Sequence, residues 1–134
     1  MLKRRITAPI IAAALAAGFA STAQAKEIDT IIWAYPAGSY SDNGRAYFST
    51  YGDYIGVDDQ KKDGETVCVQ FYAKPVSTGK RDLFIRCNAQ GSGTSKDWNF
   101  DFVENSEVNI RTFMASDGSG RNDHAYGEWV STIA

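Results

Sequence analysis

The stretch Val67-Cys68-Val69-Gln70-Phe71-Tyr72 sets apolar Val67, Val69 and Phe71 on alternate positions, with Cys68, Gln70 and Tyr72 between them. Successive side chains of an extended chain point to opposite faces, so a period of two predicts a strand with one face turned to a core. The pattern recurs downstream. Val108, Ile110, Thr112 and Met114 alternate with Asn109 and Arg111, Trp98, Phe100 and Phe102 alternate with Asn99 and Asp101, and Leu83, Ile85 and Cys87 form another one-sided row. Shorter candidates occupy 45–49, 53–57 and 128–133. Turn formers separate them: Asp63-Gly64, Pro75 with Gly79, Gly91 with Gly93, Asn105-Ser106 and Asp117-Gly118-Ser119-Gly120. Short strands punctuated in this way, without helical periodicity after residue 25, predict an all-β fold, a small antiparallel β-sandwich.

Upstream the chain changes character. Lys3, Arg4 and Arg5 precede an apolar run over 10–20, and Ala23-Gln24-Ala25 supplies the small residues a signal peptidase reads, so residues 1–25 are expected to be a signal peptide cleaved before Lys26. That run is about a dozen residues, short of the ~20 needed to span a bilayer. Export and an extracellular location follow as expectations. About 109 residues remain, enough for one domain. Loss of the leader moves the formal charge from -2 to about -5. An acidic chain argues against nucleic acid or an anionic membrane as partner, because phosphate binding rests on clustered Lys and Arg.

The two cysteines, Cys68 and Cys87, are expected to form a disulfide in an exported chain. Closing a loop of about 20 residues would contribute roughly 3 kcal/mol. Pairing them directly across a turn at Pro75 and Gly79 sets core-facing Val69 opposite charged Arg86, a conflict that a bulge or a disulfide between sheets would relieve.

Motifs of catalysis and metal binding are weak. The single histidine, His124, stands in a Gly, Asn and Asp-rich loop and reads as a solvated residue, and no glycine-flanked nucleophile elbow accompanies it. Asp117, Ser119, Asp123 and Glu128 approach calcium-loop spacing, but Arg121 and Asn122 stand where an oxygen ligand and a glycine belong. Two cysteines and one histidine do not make a zinc set. No catalytic, metal or cofactor residue is assigned, and a binding module is expected.

Ile31-Ile32-Trp33-Ala34-Tyr35 is a β-prone apolar run, followed over 36–44 by a Gly, Ser, Asp and Asn-rich segment suited to a hinge. Two readings are open: the run is the first strand of the sandwich, or it projects and adds a strand to a partner's sheet. The division that follows from projection is an N-terminal arm and linker over 26–43 and a sandwich domain over 44–134.

The succession of leader, apolar N-terminal run, Gly44-Arg45-Ala46-Tyr47-Phe48, Asp58-Asp59 with Asp63-Gly64, and closing Gly127-Glu128-Trp129 resembles the small secreted β-sandwich proteins of actinobacteria. It is similar in particular to the adaptor subunits of umbrella toxin particles, which are antibacterial complexes. That resemblance implies a non-enzymatic adaptor whose N-terminal extension enters a cleft of a trypsin-fold, lectin-like subunit, with a repeat-bearing toxin polypeptide as the other partner. Ile31, Ile32, Trp33 and Tyr35 then become the partner-binding residues, and the projecting reading takes precedence. The alternatives are an inhibitor of an extracellular hydrolase, acting through a loop at 91–95 or 117–123, and a small glycan-active hydrolase.

Overall fold

Alternation does dictate the sheets. The computed structural model describes residues 30–116 and 122–134, and in it eight strands form two four-stranded antiparallel sheets. Sheet I has the order β1-β2-β3-β6, from β1 (Ile31–Ala34), β2 (Gly44–Ser49), β3 (Tyr54–Asp59) and β6 (Thr94–Asn99). Sheet II has the order β5-β4-β7-β8, from β4 (Thr66–Ala73), β5 (Asp82–Asn88), β7 (Glu107–Ala115) and β8 (Val130–Ile133). The sheets bury Phe48, Ile55 and Val57 from one side and Val67, Val69, Phe71, Val108, Ile110 and Met114 from the other. Removing such side chains from water is the main favourable term in folding, at roughly 1.5–3 kcal/mol each.

The N-terminal run does not project. Ile31–Ala34 is the edge strand of sheet I, in register with β2 as Ile31 opposite Ser49 and Ala34 opposite Ala46. Ile32 turns inward against the core and Ala34 is fully buried, so burial on the domain's own core outweighs the freedom of a tether. The hinge-like segment after it holds a 3-10 helix over Gly38–Asp42, tied down by Ala37 N–H donating to Ala125 O at 2.9 Å and by buried Asn43. Within the described residues the sandwich therefore begins at residue 31, ahead of the boundary at 44. The signal peptide expected over residues 1–25 lies outside the described residues.

Cys68 and Cys87 are disulfide-bonded as a directly opposed pair on neighbouring strands, with no bulge and no crossing between sheets. Val69 does face Arg86. The conflict is resolved at the margin of the core: β5 is an edge strand, and the Arg86 guanidinium lies over the Phe100 ring, 5.6 Å from its centroid. A long side chain in this position covers apolar surface with its stem while its charged end reaches the rim. On β5 the inward residues are Phe84, Arg86 and Asn88, opposite core-facing Phe71, Val69 and Val67, so the row Leu83, Ile85 and Cys87 faces outward. The Trp98 to Phe102 alternation is likewise only partly a strand. β6 ends at Asn99, and Phe100 and Phe102 continue across the end of the sandwich as stacked rings 5.2 Å apart.

Asn88 ties the sheets together. It is fully buried, and its Nδ2 donates to Val57 O at 3.3 Å and to Thr94 O at 3.0 Å, from β5 across to β3 and β6. Replacement by alanine removes both hydrogen bonds, and Asn88→Ala should cost about 2 kcal/mol in a urea unfolding curve. Unchanged stability would show that the tie contributes nothing. The double variant Cys68→Ser/Cys87→Ser should lose about 3 kcal/mol in the same measurement.

Candidate functional site

The outer face of sheet I gathers side chains that the core does not use. From β1 it takes Ile31 and Trp33, with Tyr35 just beyond; from β2 Arg45 and Tyr47; from β3 Tyr54, Gly56 and Asp58; from β6 Ser95, Asp97 and Asn99. One row runs Trp33, Tyr47, Gly56, Asp97 across all four strands. The flanking row holds Arg45, Asp58 and Ser95. Of the four residues expected to bind a partner, Ile31, Trp33 and Tyr35 share this face, and Ile32 lies behind it, partly buried against the core.

Trp33 is fixed by its neighbours. The Arg45 guanidinium sits 4.0 Å from the indole centroid and its Nε is 2.9 Å from Asp58 Oδ2. Ser95 donates its hydroxyl to Asp58 Oδ1. Hydrogen bonding to Asp58, first, and to the Tyr35 phenol hold the Arg45 proton more firmly than usual. Tyr47 packs beside Trp33 with centroids 5.2 Å apart and planes tilted by 54°. Its ring extends over Gly56, where any Cβ would fall on the ring itself. Glycine at this position therefore lets a tyrosine from the next strand lie across the sheet.

The edge of β1 is half open. Thr50 N–H donates to Thr30 O at 3.1 Å, and the alternation of an antiparallel ladder then turns the backbone groups of Ile31 and Trp33 away from β2. Further along, the edge is covered: Thr112 Oγ1 donates to Ala34 O at 2.8 Å, and Gly127 lies so close to Tyr35 O that a Cβ there would collide with it.

Two other regions gather polar and charged side chains. A polar pocket at one end of the sandwich is lined by Asp59, Lys61, Asp63, Glu65 and Gln90 among others. Its carboxylates lock turns: Asp59 accepts Lys61 N–H at 3.4 Å, and Asp63 accepts Glu65 N–H at 2.9 Å and Asn43 Nδ2 at 2.8 Å. His124, expected in solvent, closes the same end. It exchanges backbone hydrogen bonds with Met114 at 2.9 Å, and its Nε2 stands 3.4 Å from Glu65 Oε2. On the outer face of sheet II, Arg111 is held between the rings of Tyr126 and Trp129 at 4.3 and 4.6 Å, with its Nε donating to Gln70 at 2.7 Å. Of the two loops that an inhibitor would use, 91–95 is a tight turn through Gly91 and Gly93, both at positive φ. The second, with most of the calcium-like spacing, lies largely outside the described residues.

No protein-family model, curated protein or solved structure matches this chain. Reasoning from sequence missed Tyr47, Gly56 and Asp97, although the alternation of Arg45 and Tyr47 with Ala46 and Phe48 carried the signal that they share a non-core face.

Burial, more than the nearby Asp63, raises the Asp59 carboxyl above the ordinary aspartate range, against the Lys61 N–H that lowers it. The folded chain thus binds this proton more tightly than the unfolded chain does. Its contribution to stability is complete below about pH 4 and is lost as pH rises through the raised folded value. Asp59→Asn should remove that loss, so that the variant gains on the wild type from about pH 4 to pH 7 in urea unfolding curves. A constant difference across this range would exclude the linkage.

Proposed function

We propose that this protein is a non-enzymatic binding module of an exported assembly, an adaptor that docks a protein partner on the outer face of sheet I around Trp33 and along the open part of the β1 edge. The observation that carries this reading is the grouping of Ile31, Trp33, Tyr35 and Tyr47 on one face that also ends in unpaired strand edge. Aromatic side chains bring large contact area at low entropic cost, and a strand edge adds backbone hydrogen bonds. Docking then uses a strand already set in the sandwich rather than a free arm. The disulfide fits an oxidising compartment. An adaptor needs a second contact, and Leu83 and Ile85, 38% and 44% exposed side by side on the outer face of sheet II, offer one on the opposite side. The resemblance to umbrella-particle adaptors names the first partners to test, a trypsin-fold lectin-like subunit and a repeat-bearing toxin polypeptide.

The test is affinity capture of tagged protein from its own culture supernatant, beside Trp33→Asp. Trp33 points away from the core, so the variant should keep the wild-type melting behaviour. Loss of one partner and retention of another in the variant is the expected result. A single hydrolase retained by both forms would replace the adaptor with an inhibitor, and equal recovery of every partner would remove Trp33 from the docking face.

A further inference from the structure

A cation over an aromatic ring is a repeated device in this molecule. Arg45 covers Trp33, Arg81 covers Tyr72, Arg86 covers Phe100, Lys96 covers Trp98, and Arg111 covers both Tyr126 and Trp129. At Trp33 the device is complete: ring, guanidinium and the Asp58 carboxylate that neutralises it. Farther along the row that begins at Trp33, two of the three parts recur. The Tyr47 ring lies over Gly56, and Asp97 is the register partner of Gly56, which places its carboxylate position beside that ring. Asp97 is exposed and makes no ion pair or hydrogen bond among the described residues.

We propose that Tyr47 and Asp97 receive an arginine or lysine side chain from the partner protein, completing there the arrangement that Arg45 completes at Trp33 and Asp58. This deepens the docking reading above and rests on it. A cation over a tyrosine ring is drawn by the ring's negative face, and an adjacent carboxylate adds a direct counter-charge. The local field has the required sign. The Tyr47 phenol is pushed above its ordinary range, first by burial and then by the negative charges of Asp97 and Asp58. A sugar shelf fits less well, because Trp33 and Tyr47 are tilted by 54° and Arg45 already occupies a face of the indole. A basic side chain requires only one ring and one carboxylate.

The probe is a phage-displayed dodecapeptide library selected on immobilised wild-type protein. Peptides released by Trp33→Asp are retained as binders of this face and assayed against Asp97→Asn and Tyr47→Leu. These peptides should carry Arg or Lys, bind each variant about tenfold more weakly, and lose as much when their own basic residue becomes norleucine. That last exchange leaves the protein untouched, so it separates lost recognition from lost folding. Peptides that depend on Trp33 but not on a basic residue would overturn the inference and leave the docking face standing. No Trp33-dependent peptide at all would overturn both. A neutral glycan bound through Tyr47 on an array, with no basic peptide enriched, would also overturn it.

Discussion

Phe71, at the middle of β4, holds the two sheets in contact. Its ring meets Phe84 at 5.1 Å, Phe100 at 5.3 Å and Phe102 at 6.3 Å, and Phe102 in turn meets Phe48 of sheet I at 6.0 Å. Aromatic pairs at such separations and tilts add to the burial of their area. Both neighbours of β4 are paired to it along its length, so the position of Phe71 sets the register of β5 and β7 together. The outward residues follow from the same constraint, because a one-residue slip would exchange the faces of a strand. An exposed surface site on this domain is therefore only as well defined as its ring cluster.

Charged residues complete the lateral margin. Arg86 on β5 and Lys96 on β6 occupy inward positions of edge strands, each with its head over a ring, Phe100 and Trp98 respectively. In central strands such residues would be buried without water. At a margin the aliphatic stem packs and the charge reaches solvent. Sheet edges that carry cations also resist pairing with foreign strands.

The alternation over 67–72 and 108–114 made β4 and β7 legible, and two cysteines in one chain made the disulfide legible. Less could be read where the outcome depends on which strand becomes an edge. Leu83, Ile85 and Cys87 look like a core row, yet on edge strand β5 the opposite residues face inward because Cys68 pairs directly with Cys87. The Ile31 to Tyr35 run announced a strand but not whose sheet it would join. Its own domain supplied the partner, Gly44–Ser49, whose alternation of Ala46 and Phe48 fits against it. Trp33 and Tyr35 were legible as candidates for contact. The rest of the face was not, since Tyr47 acquires its setting from Gly56 and Asp97, which are distant in sequence and adjacent only through register.

The half-covered edge of β1 also limits the size of what can form on it. An exposed strand of Ile and Trp is ordinarily a template for unlimited sheet growth between identical chains. Here, among the described residues of β1, the backbone groups of Ile31 and Trp33 face away from β2, and the approach past Ala34 is closed by Thr112 and Gly127. A strand pairing along this edge is therefore stopped at Ala34. The same covering thereby works against open-ended pairing between identical chains at this edge.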